Sequence, residues 1–443
     1  MSKKIIIAGG GHGGITCGAI LAKNGYDVTV YEKNDADKMG HDWTDIFDPK
    51  AFKAVGMEMP PKEMYNLKNN MTFFGPAMTT RLVQDVPEGE FEIQMERRDI
   101  YKCLIDYAVS CGVKFEYGVA VEGPVMLGNR VVGIKTDKGT EYADLVIDAC
   151  GINSPVRMNL PEYLGIQKEA QQYERFYVYR AFFEKNEEVE VTDRFRVLMF
   201  YQGKLGISWV ADDGEYTDAL IGRFNEIDME EVERTLAIMR KDFPDLGEKQ
   251  LRGGQFVQIP VRQPLGVLVA DGYAAIGDSA FMTVPIIGSG IANSMKASAI
   301  LADAIMADKN ETYSAKTLWK YQRDFYSKLG NGLAPLASIK LLLTRLQPEE
   351  LDYIFATGIL NADDMTISAD STSLFAMVKD MADPEPLMAK IKGLAGNTTI
   401  LKKVLRMIKD IAAVTVVTSA MPQKYDVKAV NRWVKAYNKC FKA

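Results

Sequence analysis

Three glycines and one carboxylate near the N-terminus carry the first chemical signal. In "GGGHGG", Gly9, Gly11 and Gly14 fill the pattern G-x-G-x-x-G, and Glu32 follows 23 residues after Gly9. The first glycine permits a tight turn, the second lets the backbone approach a pyrophosphate, and the third lets a helix pack close to a strand. The helix start then offers N–H donors and its dipole to phosphate. Glu32 is placed to accept hydrogen bonds from an adenosine ribose. His12 and Gly13, inside the turn, and Lys33, beside Glu32, belong to the same expected cleft, with His12 positional rather than catalytic.

A second glycine-rich turn, "IGDSAFMTVPIIGSGIANSMKAS", runs from Ile276 to Ser298. The first turn alone does not separate NAD from FAD. A ligand as long as FAD must be gripped again at its ribityl chain and ring, and the second turn suits that grip. Asp278 can bind ribityl hydroxyls or the pyrophosphate edge, Pro285 stiffens the turn, and Gly288, Gly290 and Ile291 open a helix whose amides favour negative charge on a reduced ring. Both turns are therefore expected to hold opposite ends of one FAD.

The elements that must position these residues are legible around them. Lys4 to Ala8 reads as a strand, Ile15 to Lys23 as a helix and Asp27 to Glu32 as a second strand, a β-turn-α-β unit. Residues 98–111 read as an amphipathic helix, followed by the strand "VKFEYG" and a hairpin turning at Asp137-Lys138-Gly139. From Tyr173 to Phe224 the pattern becomes aromatic-rich alternation, which predicts an antiparallel sheet. Helices are expected at Asp228 to Lys241, after Ser289 and through most of 313–443.

Totals restrict the function classes. At 443 residues, 47% hydrophobic and 25% charged, the chain suits two or three interleaved folded domains. Five cysteines without C-x-x-C spacing argue against disulfides and zinc and for a reducing, cytoplasmic setting. Two histidines exclude a multi-histidine metal site, so no metal is expected. The N-terminal apolar run is too short for a signal peptide, and no run is long enough for a membrane span. Net charge is −6, yet residues 401–443 carry ten Lys or Arg against Asp410 and Asp426, a net +8 that leaves −14 elsewhere. Nucleic acid is therefore not an expected partner. The basic tail, with Trp433, Tyr437 and Phe441 interleaved, reads either as a peripheral membrane contact or as a solvated helix face packed by its aromatic stripe.

The two turns with "ADLVIDACGINSPVR" (Ala143 to Arg157), "IPVRQPLGVLVADGYAAIGDSA" (Ile259 to Ala280) and Arg97 in "MERRDIYKCL" make the chain resemble the para-hydroxybenzoate hydroxylase superfamily of flavoproteins. Within it the chain is most similar to the geranylgeranyl reductase family, and the likeness covers most of residues 1–310. The resemblance implies an α/β fold: a Rossmann-type FAD-binding domain of the glutathione-reductase type, an inserted antiparallel β-sheet substrate domain and a C-terminal helical segment. It further implies reduction of a C=C bond of a hydrophobic, polyprenyl-type substrate by hydride from flavin N5. Arg97, Val121 and Gly151 join the expected cofactor contacts.

Three departures mark the chain. Ala149-Cys150-Gly151 replaces the usual Ala-Asp-Gly, and the buried Cys reads as packing. "GISWVADD" keeps Trp209 of an aromatic signature but not its Phe-Pro. "KMGHDWTDIF" stands where reductases of this group carry Cys-Gly, which leaves His41 either as the proton donor to the alkene or as a loop histidine bound to backbone. Trp209, Tyr201 and Tyr179 are the expected substrate residues.

The expected domains are 1–75, 90–158 and 255–330 for FAD, 76–89 and 159–254 for the substrate sheet, and 331–443 for the helical segment. Two rival readings stand beside the reductase: an NAD(P)H- and O₂-dependent flavin monooxygenase, and a flavin-binding, membrane-peripheral interaction protein. The electron donor is open among NAD(P)H, reduced flavin and ferredoxin, and the oligomeric state is unreadable.

Overall fold

The computed structural model describes residues 3–68, 70–84, 86, 92–361, 392–394 and 396–441. Its central layer is a six-stranded sheet in the order Val269–Ala270, Tyr273–Ala275, Leu145–Asp148, Lys4–Ala8, Asp27–Glu32, Lys114–Tyr117. Every pairing is parallel except that of the first two strands. The unbroken apolar run Ile5-Ile6-Ile7 suits a parallel strand buried on both faces, and all three are fully buried. Helices His12–Lys23 and Ile291–Ala307 pack against each other on this sheet.

The second layer is a seven-stranded sheet built around Arg175–Lys185, Tyr216–Arg223, Ile207–Asp212 and Phe195–Met199. Two of its features depart from the sequence expectation. Its Phe195–Met199 strand pairs in parallel with Met71–Phe74, so the sheet is mixed. Arg175–Lys185 is also buried along nearly its whole length rather than on alternate residues. The helix Met229–Asp242 covers one face, with Val232, Leu236 and Met239 against Tyr179, Ala181 and Phe183. A cavity and the first domain cover the other.

The expected boundaries at 76 and 255 shift for the same reason: Met71–Phe74 belongs to this sheet, and Leu246–Pro260 stays paired along it to Pro260. Positions 85 and 87–89 of the expected excursion lie outside the described residues.

Helix Ala315–Phe325 precedes the expected segment 331–443, whose described residues supply Asn331–Leu343, Pro348–Ala356, Thr398–Ser419 and Val427–Lys439, while 362–391, 395 and 442–443 lie outside the described residues. The aromatic stripe near the end of this segment is packed rather than displayed. Trp433, Tyr437 and Phe441 are buried, Tyr437 donates to the Pro264 carbonyl at 3.0 Å, and Trp433 donates to that of Val417 at 2.7 Å.

Candidate active site

Helices His12–Lys23 and Ile291–Ala307 begin at the same place, one after each glycine turn. Neither is closed by a side-chain cap, since Gly11 and Gly290 occupy the cap positions, so the first N–H groups of both helices stay open to a ligand. Their close approach depends on small residues. A Cβ at Gly13 would lie 2.9 Å from the Ser294 carbonyl oxygen. The first turn also lies against the end of a strand: Cβ atoms at Gly9 and Gly11 would each meet the Ala149 carbonyl oxygen at 2.8 Å. Gly9 adds a φ of +86°, which favours glycine. Gly14 does not face the cleft; its Cβ would sit 2.7 Å from that of Ala149, which makes it the glycine of helix-to-strand packing.

Glu32 ends the second strand with its carboxylate already oriented. Gly10 N–H donates to Oε2 at 2.8 Å, while the Asn34 backbone and side-chain amides each donate to Oε1 at 2.9 Å. Asp278 accepts from Thr283 at 3.0 Å. Burial pushes its carboxyl upward, against that hydrogen bond and the charges of Arg97 and Arg157. Arg157 ties "ACGINSPVR" to the second turn by donating to the Ser279 carbonyl at 2.6 Å. The open helix ends, the small-residue cradle and the fixed carboxylate together fit an elongated dinucleotide.

One cavity of about 1130 Å³ joins these parts. Gly9, Gly11, His12, Gly13, Glu32, Lys33, Arg97, Val121, Gly151, Asp278, Pro285, Gly288, Gly290 and Ile291 all line it. His41 and Cys150 line it as well. Burial raises the Cys150 thiol well above its ordinary range, reinforced by Asp148, so it is no nucleophile at neutral pH.

His12 stacks on Tyr101 with ring centroids 4.5 Å apart and is held neutral, its pKa lowered to about 3 by burial and by Arg97. His41 lies 4.9 Å from the Trp43 ring, and burial and Arg97 lower its pKa to about 4. At pH 7 it is therefore a neutral imidazole whose N–H, not an imidazolium, is what it presents. Arg97 itself is held by Asp45 through two hydrogen bonds of 2.5 Å and lies 5.0 Å from the Trp43 ring.

Beyond Trp43 the lining turns apolar, through Phe176, Val178, Trp209, Leu220 and Phe224 of the seven-stranded sheet. Tyr179 and Tyr201, expected here, are elsewhere. Strand alternation sends Tyr179 to the opposite face from Val178 and Arg180, and both tyrosines pack in the cluster under Met229–Asp242. Tyr179 bonds to Gln250 at 3.1 Å and Tyr201 to Asp242 at 2.5 Å.

The sequence reading missed the far end of the cavity, which Ile339, Leu343, Leu351 and Phe355 line from two C-terminal helices. Their four-residue spacings were a usable signal.

Residues 7–49 match the family of NAD(P)-binding Rossmann-like domains. The digeranylgeranylglycerophospholipid reductase of Sulfolobus acidocaldarius is 24% identical over 415 residues, covering 90% of this chain and 89% of its own. The enzyme of that name from Haloferax volcanii is also 24% identical, covering 85% and 94%. The chain is similar to the FAD-dependent geranylgeranyl reductase family over most of its length. It is an FAD-dependent oxidoreductase, and FAD is the ligand that its two helix starts and Glu32 fit.

Solved structures agree on the fold. A geranylgeranyl bacteriochlorophyll reductase-like protein from Thermoplasma acidophilum superposes with a TM-score of 0.72 at 18% identity, covering 89% of this chain and 98% of that one. A p-nitrophenol 4-monooxygenase from Pseudomonas putida gives 0.62 at 17%, covering 86% and 98%. The chain thus shares its architecture with an oxygenase as well, and the fold by itself does not select the reaction.

Proposed function

We propose that the protein reduces isolated C=C bonds in the isoprenoid chain of a lipid, as the names of its relatives suggest. The observation that carries this reading is the cavity that joins the dinucleotide turns to the apolar wall of Phe176, Val178, Leu220 and Phe224. Bound FAD supplies the reducing equivalents for such a bond. The chain's own residues do the rest. Glu32 and the two helix starts anchor the dinucleotide, and Phe176, Val178, Leu220 and Phe224 hold a prenyl chain and exclude water. His41 lines the same cavity wall as a neutral imidazole, so in this reading it orients a water by hydrogen bonding and the water gives the alkene carbon its proton.

The substrate places the enzyme at a membrane surface. No helix among the described residues is long and apolar enough to cross a membrane, so the contact in this reading is peripheral. The exposed cations Lys428, Arg432 and Lys435 of the C-terminal helix add attraction toward anionic lipid.

The test is anaerobic incubation of dithionite-reduced holoenzyme with geranylgeranyl lipids, aromatic compounds and enones. A gain of two hydrogens per double bond in the lipids supports the reading, and no alkene reduction in any of them rejects it.

A further inference from the structure

Among the described residues, only two large apolar side chains both stand well exposed and line the cavity. Phe256 is 47% exposed on Leu246–Pro260, the edge strand of the seven-stranded sheet, and Ile287 is 43% exposed in the turn before Ile291–Ala307. The two sides meet just inside, where a Cβ at Gly288 would lie 3.5 Å from Ile259 Cγ2. Val257, Ile259 and Ile286, half-buried, carry the apolar lining inward from there. On this side the cavity lining reaches solvent between an edge strand and a turn, and the large side chains exposed there are apolar.

A cation stands beside this mouth. Arg175, paired across the sheet with Pro260, spends its hydrogen bonds on neutral oxygens: the Ala170 carbonyl, Asn153 Oδ1 and Gln258 Oε1. It pairs with no carboxylate among the described residues. Exposed apolar side chains beside an unneutralised cation are the composition of a surface that sits in the interface of an anionic bilayer.

We propose that Phe256 and Ile287 form a lip that inserts into an anionic lipid leaflet, with Arg175 against the head groups, so that a prenyl chain passes from bilayer to cavity without crossing water. This rests on the reductase reading for its occupant. The physical need is plain: every methylene drawn from bilayer into water carries an unfavourable transfer cost, and a mouth seated in the membrane removes that step.

The test places a tryptophan at each lip position, as Phe256→Trp and Ile287→Trp, in FAD-loaded protein. Leu127→Trp, at a more exposed site that does not line the cavity, serves as control. Vesicles contain neutral and anionic glycerophospholipids with brominated acyl chains, and wild-type emission is the baseline. Added emission at 256 and 287 should be quenched at least roughly twofold more than at 127, less so on purely neutral vesicles. Equal quenching at all three sites, or none at the lip, overturns the proposal.

Should either variant lose its flavin, deuterium exchange of the unaltered protein decides. Vesicles must protect residues 255–259 and 286–288, and absence of protection there rejects the lip. Neither readout involves turnover. A quenched lip without alkene reduction rejects only the reductase reading, and alkene reduction with an unquenched lip rejects only the insertion.

Discussion

Thr16 Oγ1 donates to Ser298 Oγ at 2.9 Å, a buried hydrogen bond between helices whose sequence separation is 282 residues. It locks the two glycine turns into one binding site. The opposite side of the first helix is seated closely on the strands. A valine at Gly14 would press on Ala149 and on Ile7, whose Cγ2 would lie 2.8 Å from the new Cβ. Gly14→Val should lose FAD and about 1–3 kcal/mol of stability through overpacking, read by flavin absorbance after gel filtration and by thermal unfolding.

Arg180 and Asp218 make a buried double hydrogen bond of 2.9 and 2.7 Å, and Trp209 donates to the same carboxylate at 3.0 Å. Arg180 also donates to Thr44 Oγ1 at 2.7 Å, which fastens the loop carrying His41 and Trp43 to the sheet. Removing one partner strands a buried charge. Asp218→Leu should cost roughly 3–5 kcal/mol, and Arg180→Met added to it should recover part of that loss, as seen in denaturant unfolding.

Much of this was legible in the sequence, for identifiable reasons. The β-turn-α-β unit announces itself because glycine, helix and acidic residue stand at spacings set by backbone geometry alone. The second turn is legible because Gly-Asp and Pro285 punctuate it locally. Tyr179 was misassigned because alternation states that two faces exist without saying which one meets the cavity, and Tyr201 because the strand ends at Met199 and Tyr201 begins a tight turn. The parallel pairing of Met71–Phe74 with Phe195–Met199 joins segments more than 100 residues apart, and no local pattern encodes it. The lining from Leu351 and Phe355 was hidden for a similar reason, since amphipathic spacing identifies an apolar face but not what that face covers.

Acid should expose the two histidines. Burial, then Arg97, lowers the pKa of His12 to about 3 and of His41 to about 4 from 6.5, so the unfolded chain binds protons in this window that the folded chain refuses. Stability from this source is complete above pH 6.5 and declines as pH falls toward 4. The thermal midpoint should drop between pH 7 and pH 4.5, and His41→Gln should flatten that slope. An unchanged slope would remove His41 from the account.

The far end of the cavity should measure chain length. Phe355→Trp adds volume beside Leu351 at the apolar end. Reduction of a twenty-carbon prenyl lipid should fall by roughly tenfold or more, the weight of a steric mismatch of about 1–3 kcal/mol, while a ten-carbon analogue is spared. Parallel kcat/KM measurements on the two lengths check this.

The most direct measurement mixes anaerobic, dithionite-reduced holoenzyme, freed of excess reductant, with a geranylgeranyl lipid while recording flavin absorbance and product mass together. The account predicts that the oxidised flavin band returns in proportion to double bonds reduced, each gaining two hydrogens. A flavin that stays reduced beside unaltered lipid, or that yields an oxygenated product only when air is admitted, would contradict it.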